Sequence, residues 1–432
     1  MKITIIGTGY VGLVSGVCFA KLGHDVICVD KDKTKINALL QGKIPIFEPD
    51  LQEILAQVIA AKKITFTTDL KTALKDECVV FIAVGTPQDE DGSADLSYVL
   101  ACAKEIAQFS QNYKLIVTKS TVPVGTGAQI AALIAKTNAN LDFAIASNPE
   151  FLREGCAIND FMNPDRIVIG ANDEKSHKIL REIYTKFADE KIVATDVITA
   201  ELIKYAANSF LATKISFINE MADLCEKTGA NIKNLSTAIG LDSRIGNKFL
   251  NVGPGFGGSC FPKDIKAIVN VAKEFDIKLS LIESVVDSNK IRIEKMTQKV
   301  LQNLQGERIA LLGLAFKANT DDIRYSPALS IAKNLLEKGV KINAQDKEAL
   351  ENTKKELSDF KGITFFKDVY EAVANVDLIV IATEWDEYKN LDFDKIKKLV
   401  KVAKILDLRN ILDEKTLEKK GFEYNYIGKK YD

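Results

Sequence analysis

Three glycines at the end of the first apolar run constrain this chain more than any other feature. Lys2-Ile-Thr-Ile-Ile6 has β character, and Gly7-Thr-Gly9-Tyr10-Val11-Gly12 follows it directly. Helical patterning comes next, then a second strand-like run, Asp25–Val29, that ends in Asp30. Strand, glycine turn, helix, strand and acid form the pattern of a dinucleotide-binding βαβ unit, the plain alternatives being a structural glycine turn or a flavin site. Gly7 permits the tight turn, Gly9 lets backbone N–H groups approach a pyrophosphate, and Gly12 allows helix and strand to pack closely. The helix N-terminus favours the anion. Asp30 would accept hydrogen bonds from ribose hydroxyls and repel a 2′-phosphate, so NAD is expected rather than NADP. Lys35 is placed to neutralise phosphate or ribose contacts, or else is an ordinary solvated lysine. Val84-Gly-Thr86-Pro87 ends a later strand on the same edge of the sheet, where ligands of open α/β sheets collect.

The rest of the chain extends this beginning. Lys2–Ile6, Asp25–Val29, Val79–Val84, Leu115–Thr118, Phe143–Ser147 and Arg166–Ile169 alternate with amphipathic stretches, which predicts a parallel sheet with helices on both faces. From Thr199 to about Lys227 no Gly or Pro intervenes, and Ile203, Ala206, Phe210, Phe217, Met221 and Leu224 recur at helical spacing, so one long helix is expected. A second helical segment spans about Ile277–Leu304. From Arg308 the alternation resumes and echoes the start. Arg308–Gly313 matches Lys2–Gly7, Lys341–Asp346 matches Asp25–Asp30, and Asp368–Val373 leads into Leu378–Ala382 as Asp69–Leu74 leads into Val79–Val84. The expected fold is α/β: two Rossmann-like doubly wound domains, residues 1–196 and 305–432, joined by a central helical segment, 197–304. The second lacks the glycine fingerprint and need not bind a dinucleotide.

Composition excludes several kinds of chemistry. The 58 Lys+Arg against 59 Asp+Glu are scattered, which indicates neither a nucleic-acid nor a membrane surface. Only His24 and His177 are present, leaving no histidine-based metal site and no Ser-His-Asp triad. Seven cysteines form no CxxC pair or disulfide framework, which fits a reducing cytoplasm. Glycines interrupt the first apolar stretch, against an export signal, and no run is long enough to span a bilayer.

Gly253-Pro-Gly-Phe-Gly257-Gly258-Ser-Cys260-Phe-Pro262-Lys263-Asp264 carries the chemistry. Ile265, Ile268, Val269, Ala272 and Phe275 have helical spacing, so Pro262 is expected at the first helical position with Cys260 just ahead of it. The positive end of a helix and nearby Lys263 both favour a thiolate. The plain alternative is a structural cysteine in a tight turn. Lys204 and Asn208, four residues apart, project from one face of the long helix and suit an oxyanion, or else are solvated surface. Asn148-Pro-Glu150-Phe-Leu-Arg-Glu154-Gly lies past a strand end, where a carboxylate serves as base, binds hydroxyls or caps a helix.

At these residues the chain resembles the UDP-glucose/GDP-mannose dehydrogenase family. The resemblance runs through the fingerprint, Lys119-Ser-Thr121-Val-Pro-Val-Gly, Asn148–Gly155, Glu201–Asn208, Gly255–Asp264 and Leu314-Ala-Phe316-Lys317. Arg244-Ile-Gly-Asn, Phe249–Gly253 and Thr383-Glu-Trp385 are similar to its UDP-glucose branch. The resemblance implies NAD on the first domain, the uridine nucleotide on the last, and a homodimer built on the long helix, with Arg244 reaching the other subunit's substrate. It implies oxidation of UDP-glucose in two hydride transfers, with Cys260 as nucleophile, Lys204 and Asn208 holding an oxyanion, and Thr121, Glu150 and Asp264 ordering or activating water. Substrate contacts implied are Glu150, Phe151, Leu152, Arg153, Glu154, Lys204, Asn208, Arg244, Phe249, Leu250, Asn251, Val252, Gly253, Gly257, Phe316, Lys317 and Arg409. Near NAD it places Tyr10, Val11, Thr86, Thr121, Glu154, Lys263 and Arg324. At position 251 some relatives carry Lys where this chain has Asn. A two-electron 3-hydroxyacid dehydrogenase and a non-catalytic nucleotide-sugar sensor remain as alternatives.

Overall fold

The computed structural model describes residues 1–430 apart from 77, 90 and 91. The chain forms two compact units, Met1–Ala207 with Lys266–Lys278, and Asn208–Ile265 with Leu279–Asp432.

The first unit is built on eight strands: β1 (Lys2–Ile6), β2 (Asp25–Val29), β3 (Ile64–Thr67), β4 (Cys78–Ile82), β5 (Lys114–Thr118), β6 (Phe143–Ser147), β7 (Ile167–Ala171) and β8 (Ile192–Thr195). Their order is β3-β2-β1-β4-β5-β6-β7-β8. The strands are near-continuous apolar runs because both faces are covered. Ile3, Ile5 and Phe81 pack against Leu13 and Val17 of the first helix, while Val80, Ile82 and Ile116 pack against Val99, Ile106 and Ile130 on the other face. Each fully buried aliphatic side chain contributes about 1.5–3 kcal/mol.

The sheet departs from the all-parallel expectation at one place, since β6 and β7 pair antiparallel, Ser147 opposite Gly170. An antiparallel neighbour needs no crossover. The connection 148–166 therefore begins and ends at the carboxyl edge of the sheet, which keeps the Asn148–Glu154 segment at the ligand-binding side.

The second unit repeats the arrangement with β9 (Arg308–Leu312), β10 (Lys341–Gln345), β11 (Ile363–Phe366), β12 (Leu378–Ile381), β13 (Lys404–Asp407) and β14 (Glu423–Tyr426), in the order β11-β10-β9-β12-β13-β14, all parallel. This is the order 3-2-1-4-5-6 of the first six strands of the first sheet, so the echo read in the sequence is a structural repeat. Before it stand helices Val197–Thr228, Ile232–Gly240, Phe261–Glu274 and Ser280–Asn303. The first of these has 32 residues, about 48 Å of helix. Phe210, Phe217 and Leu224, seven residues apart, lie exposed along it rather than in the core.

Candidate active site

The topological switch point of the first sheet lies between β1 and β4, where the strand order reverses. Gly7 leaves β1 with φ +101°, and a Cβ there would stand 2.7 Å from Ala83 O just past β4. At Gly12 a Cβ would stand 2.0 Å from Gly7 O, so helix and turn touch as the fingerprint requires. A Cβ at Gly9 would meet nothing within 4 Å, and that open approach is where a pyrophosphate fits. Asp30 ends β2 and faces the turn, its Oδ2 accepting from Thr8 N at 2.8 Å and Thr8 Oγ1 at 2.7 Å. Burial works against its ionisation, yet N–H groups of Asp32 and Thr8 hold the carboxyl below its ordinary range, with Lys35 assisting. Thr86 is buried and donates to Thr121 O at 2.9 Å, which ties the loops after β4 and β5 together.

Beyond β6, Glu150 and Lys204 form a buried ion pair of 2.9 Å, each side chain only 5% exposed. Burial opposes the Glu150 charge, but the Lys204 ammonium and the Leu152 N–H, at 2.6 Å, hold its carboxyl below the usual range. Lys204 Nζ lies 5.5 Å from the Phe151 ring centre, and Arg166 stacks on that ring at 3.6 Å. Lys204 is thus not solvated helix surface. Lys119 adds a second buried cation that the sequence reading left unassigned. Its ammonium donates to Asn148 Oδ1 at 2.9 Å, and burial pushes it down to about 8. Tyr184 also donates to Asn148, whose Nδ2 donates to Val168 O at 2.7 Å, so the turn carrying Glu150 is held from three sides.

In the second unit, Asn208 Nδ2 donates to Asp264 Oδ2 at 2.7 Å, and Lys263 Nζ donates to Asp264 Oδ1 at 2.6 Å. Asn208 and Asp264 are both buried. The helix Phe261–Glu274 starts one residue earlier than expected, so Pro262 is its second residue and Cys260 immediately precedes it. Cys260 O accepts from Asp264 N at 2.8 Å, and its half-buried Sγ lies 3.6 Å from Ser259 Oγ. Gly258, at φ +82°, passes against Phe316, and a Cβ would come within 2.7 Å of that ring.

Three family models match these segments in succession: the NAD binding domain of the UDP-glucose/GDP-mannose dehydrogenase family over residues 1–188, its central domain over 198–291, and its UDP binding domain over 310–414. The chain belongs to the UDP-glucose/GDP-mannose dehydrogenase family. A UDP-glucose 6-dehydrogenase of Rhizobium meliloti (strain 1021) is 51% identical over 438 residues, covering 99% of this chain and all of that protein. A UDP-glucose dehydrogenase from the hyperthermophilic archaeon Pyrobaculum islandicum superposes with a TM-score of 0.90 at 36% identity, over 99% of this chain and 98% of that one. A UDP-D-ManNAc dehydrogenase from Pyrococcus horikoshii does so with a TM-score of 0.85 at 28% identity, over 99% of both chains. As a member of this dehydrogenase family the chain is an NAD-dependent oxidoreductase, and its first domain is the one that takes NAD.

Within this dehydrogenase, the residues drawn from the family resemblance differ in what they offer. Leu250 and Val252 are core side chains, and Leu250 O accepts from Ser236 Oγ at 2.7 Å. Asn251 is exposed, and Phe249 adopts φ +64° with its ring 6.2 Å from Phe261. Arg409 donates to Ala382 O and Phe316 O, both at 2.9 Å, and packs against Gly253, while Lys317 lies 5.5 Å from the Phe316 ring. A Cβ at Gly257 would meet Tyr325 O at 2.3 Å. Arg153, Arg244 and Arg324 each grip a nearby acid, Asp160, Asp242 and Asp322, with Arg244 87% exposed. Glu48 escaped the sequence reading because a loop acid carries no local signal. It is buried, accepts from Gly155 N and Ala157 N at 2.7 Å and from Tyr10, and so ties the glycine turn to the Glu154 loop. Among the described residues no helix is long and apolar enough to cross a membrane.

Proposed function

We propose that the chain oxidises C6 of UDP-glucose to the carboxylate of UDP-glucuronate. NAD, when bound, accepts a hydride, and two are used per sugar. The first oxidation turns the alcohol into an aldehyde and releases a proton. The Cys260 thiolate then adds to the aldehyde carbon to give a thiohemiacetal, loss of a second hydride gives a thioester, and water hydrolyses it to the acid and free thiol. The sum is one alcohol, two NAD⁺ and one water going to one carboxylate, two NADH and three protons.

The observation that carries this reading is the burial of Lys204 and Asn208, four residues apart in one helix and each held by a carboxylate. A preorganised cation and amide donor of this kind stabilise an oxyanion far better than solvated groups. Asp264 and Glu150 hold those two groups in place, and Thr121 helps order water. Glu150, held ionised by Lys204, is suited to orienting hydroxyls rather than to storing a proton. Residues 249–253, Phe316, Lys317 and Arg409 bind the nucleotide sugar, and Lys263, Glu154 and Arg324 are assigned to NAD binding. The stripe of Phe210, Phe217 and Leu224 supports a homodimer through the long helix, with Arg244 completing the opposite subunit's substrate site.

Counting NADH per UDP-glucose consumed tests the reading. Two supports it. One indicates the two-electron hydroxyacid type of reaction, and none, with tight binding, indicates a sensor.

A further inference from the structure

Residues 252–258, which lead to Cys260, are buried yet belong to no helix or strand. Buried backbone without a ladder must find its hydrogen-bond partners elsewhere. At Gly253 and Phe256 three side chains supply them, while Gly258 N donates to Arg324 O at 2.9 Å. Asn219, from the long helix, accepts from Gly253 N at 2.9 Å, and Arg292 Nε donates to Gly253 O at 3.1 Å. Asn289 pairs with Phe256 as a neighbouring strand would, its Oδ1 accepting from Phe256 N at 2.8 Å and its Nδ2 donating to Phe256 O at 3.0 Å.

The fit is close on both sides of the contact. Gly255, at φ +129°, has no room for a side chain, since a Cβ would stand 2.8 Å from Asn289 Oδ1. Arg292 is itself buried, and Asp223 meets its charge. Asn289 and Arg292 are three residues apart in helix Ser280–Asn303 and so share a face. That helix takes no part in the chemistry proposed above, and its Asn289 and Arg292 are turned onto the loop.

We propose that Asn289 and Arg292, with Asn219, are positioning residues that fix residues 253–256 and thereby set the place of the Cys260 sulfur. The inference rests on the reading of Cys260 as nucleophile. Misplacing a reacting group by about 1 Å costs on the order of a hundredfold in rate. The sulfur-dependent step is therefore the one this clamp controls.

Asn289→Leu keeps the approximate size and removes both polar atoms, while Asn289→Asp keeps the acceptor for Phe256 N and loses the donor. Two readouts apply to the full-length enzyme: kcat and KM with UDP-glucose and NAD, and the rate at which iodoacetamide modifies Cys260, followed by peptide mass spectrometry. In Asn289→Leu, kcat should fall by at least about tenfold with KM for NAD within about twofold, the Cys260 modification rate should change by at least about threefold, and Asn289→Asp should recover part of both. If Asn289→Leu does not fold, Asn289→Asp alone decides, by a kcat loss of about threefold or more at wild-type thermal midpoint. Wild-type kcat and wild-type modification rate in the folded variants would overturn the clamp. The modification rate reports on the loop even if Cys260 proves not to be the nucleophile, so the two readings fail separately.

Discussion

The two repeated sheets begin alike and then part. Gly7 and Gly313 both leave the first strand of their sheet in a positive-φ turn, against Ala83 and Thr383 beyond the strand next to it. In the first unit a helix starts at Tyr10, Gly9 stands open, and Asp30 stays half-exposed at the end of β2. In the second, the next helix after β9 begins only at Pro327, and the equivalent acid, Asp346, is 1% exposed. Its Oδ2 accepts from Leu314 N at 2.6 Å, Ala315 N at 3.1 Å and Trp385 Nε1 at 3.2 Å, and its Oδ1 from Glu348 N and Ala349 N at 2.9 Å. The same acid at the same place in the same fold fastens a loop in one copy and stays half-exposed beside an open glycine in the other. An acid at the second strand's end is therefore no sign of a cofactor without the open glycine beside it.

The largest effect that sharpens this contrast concerns Asp30. A 2′-phosphate facing its carboxylate costs several kcal/mol, so kcat/KM for NAD should exceed that for NADP by about a hundredfold or more, and Asp30→Ala should narrow the gap to within about tenfold. Equal efficiencies in the unaltered enzyme would break the contrast from the first side.

Asp346 tests the other side. Asp346→Ala strands several buried donors and should lower stability in urea by at least about 2 kcal/mol while leaving NAD affinity unchanged. Asp30→Ala should do the reverse, weakening NAD binding at a stability cost under about 1 kcal/mol, because water replaces the half-exposed carboxylate.

A smaller, pH-dependent effect separates the units through Glu150. Its carboxyl sits lower in the folded chain than its ordinary 4.5, so it adds stability that is present above 4.5 and lost as pH falls through the lowered value. In that window the unfolded chain binds the proton that the folded one refuses. The unaltered protein should show an extra slope of up to about 1.4 kcal/mol per pH unit that Glu150→Gln lacks. Parallel acid-unfolding profiles would show that the Lys204 pair does not hold the charge.

Much of this was legible in the sequence because the signals are local. β1 and β2 occupy the residues that alternation and the Gly7–Asp30 spacing indicate, and the repeat at Arg308 appears as the second sheet. The short strands β3, β8, β11, β13 and β14 had no apolar run strong enough to mark them. The reversal of β7 left no trace, since strand direction is not encoded in local pattern. The pairings Glu150–Lys204 and Asn208–Asp264 join residues more than fifty positions apart, which spacing alone cannot reveal. Phe210, Phe217 and Leu224 gave the helix its periodicity yet lie on its exposed face, because period reports a shared face and not what covers it.

The account stands most directly on the sulfur of Cys260. Oxidising an alcohol to an aldehyde needs no nucleophile, whereas carrying the aldehyde to the acid through a thioester does. The decisive measurement is steady-state formation of UDP-glucuronate by Cys260→Ala at saturating UDP-glucose and NAD. The account predicts a fall of at least about a thousandfold, in line with the loss of other catalytic nucleophiles. Near-normal acid formation by that variant would contradict it and return Cys260 to a structural thiol at the start of a helix.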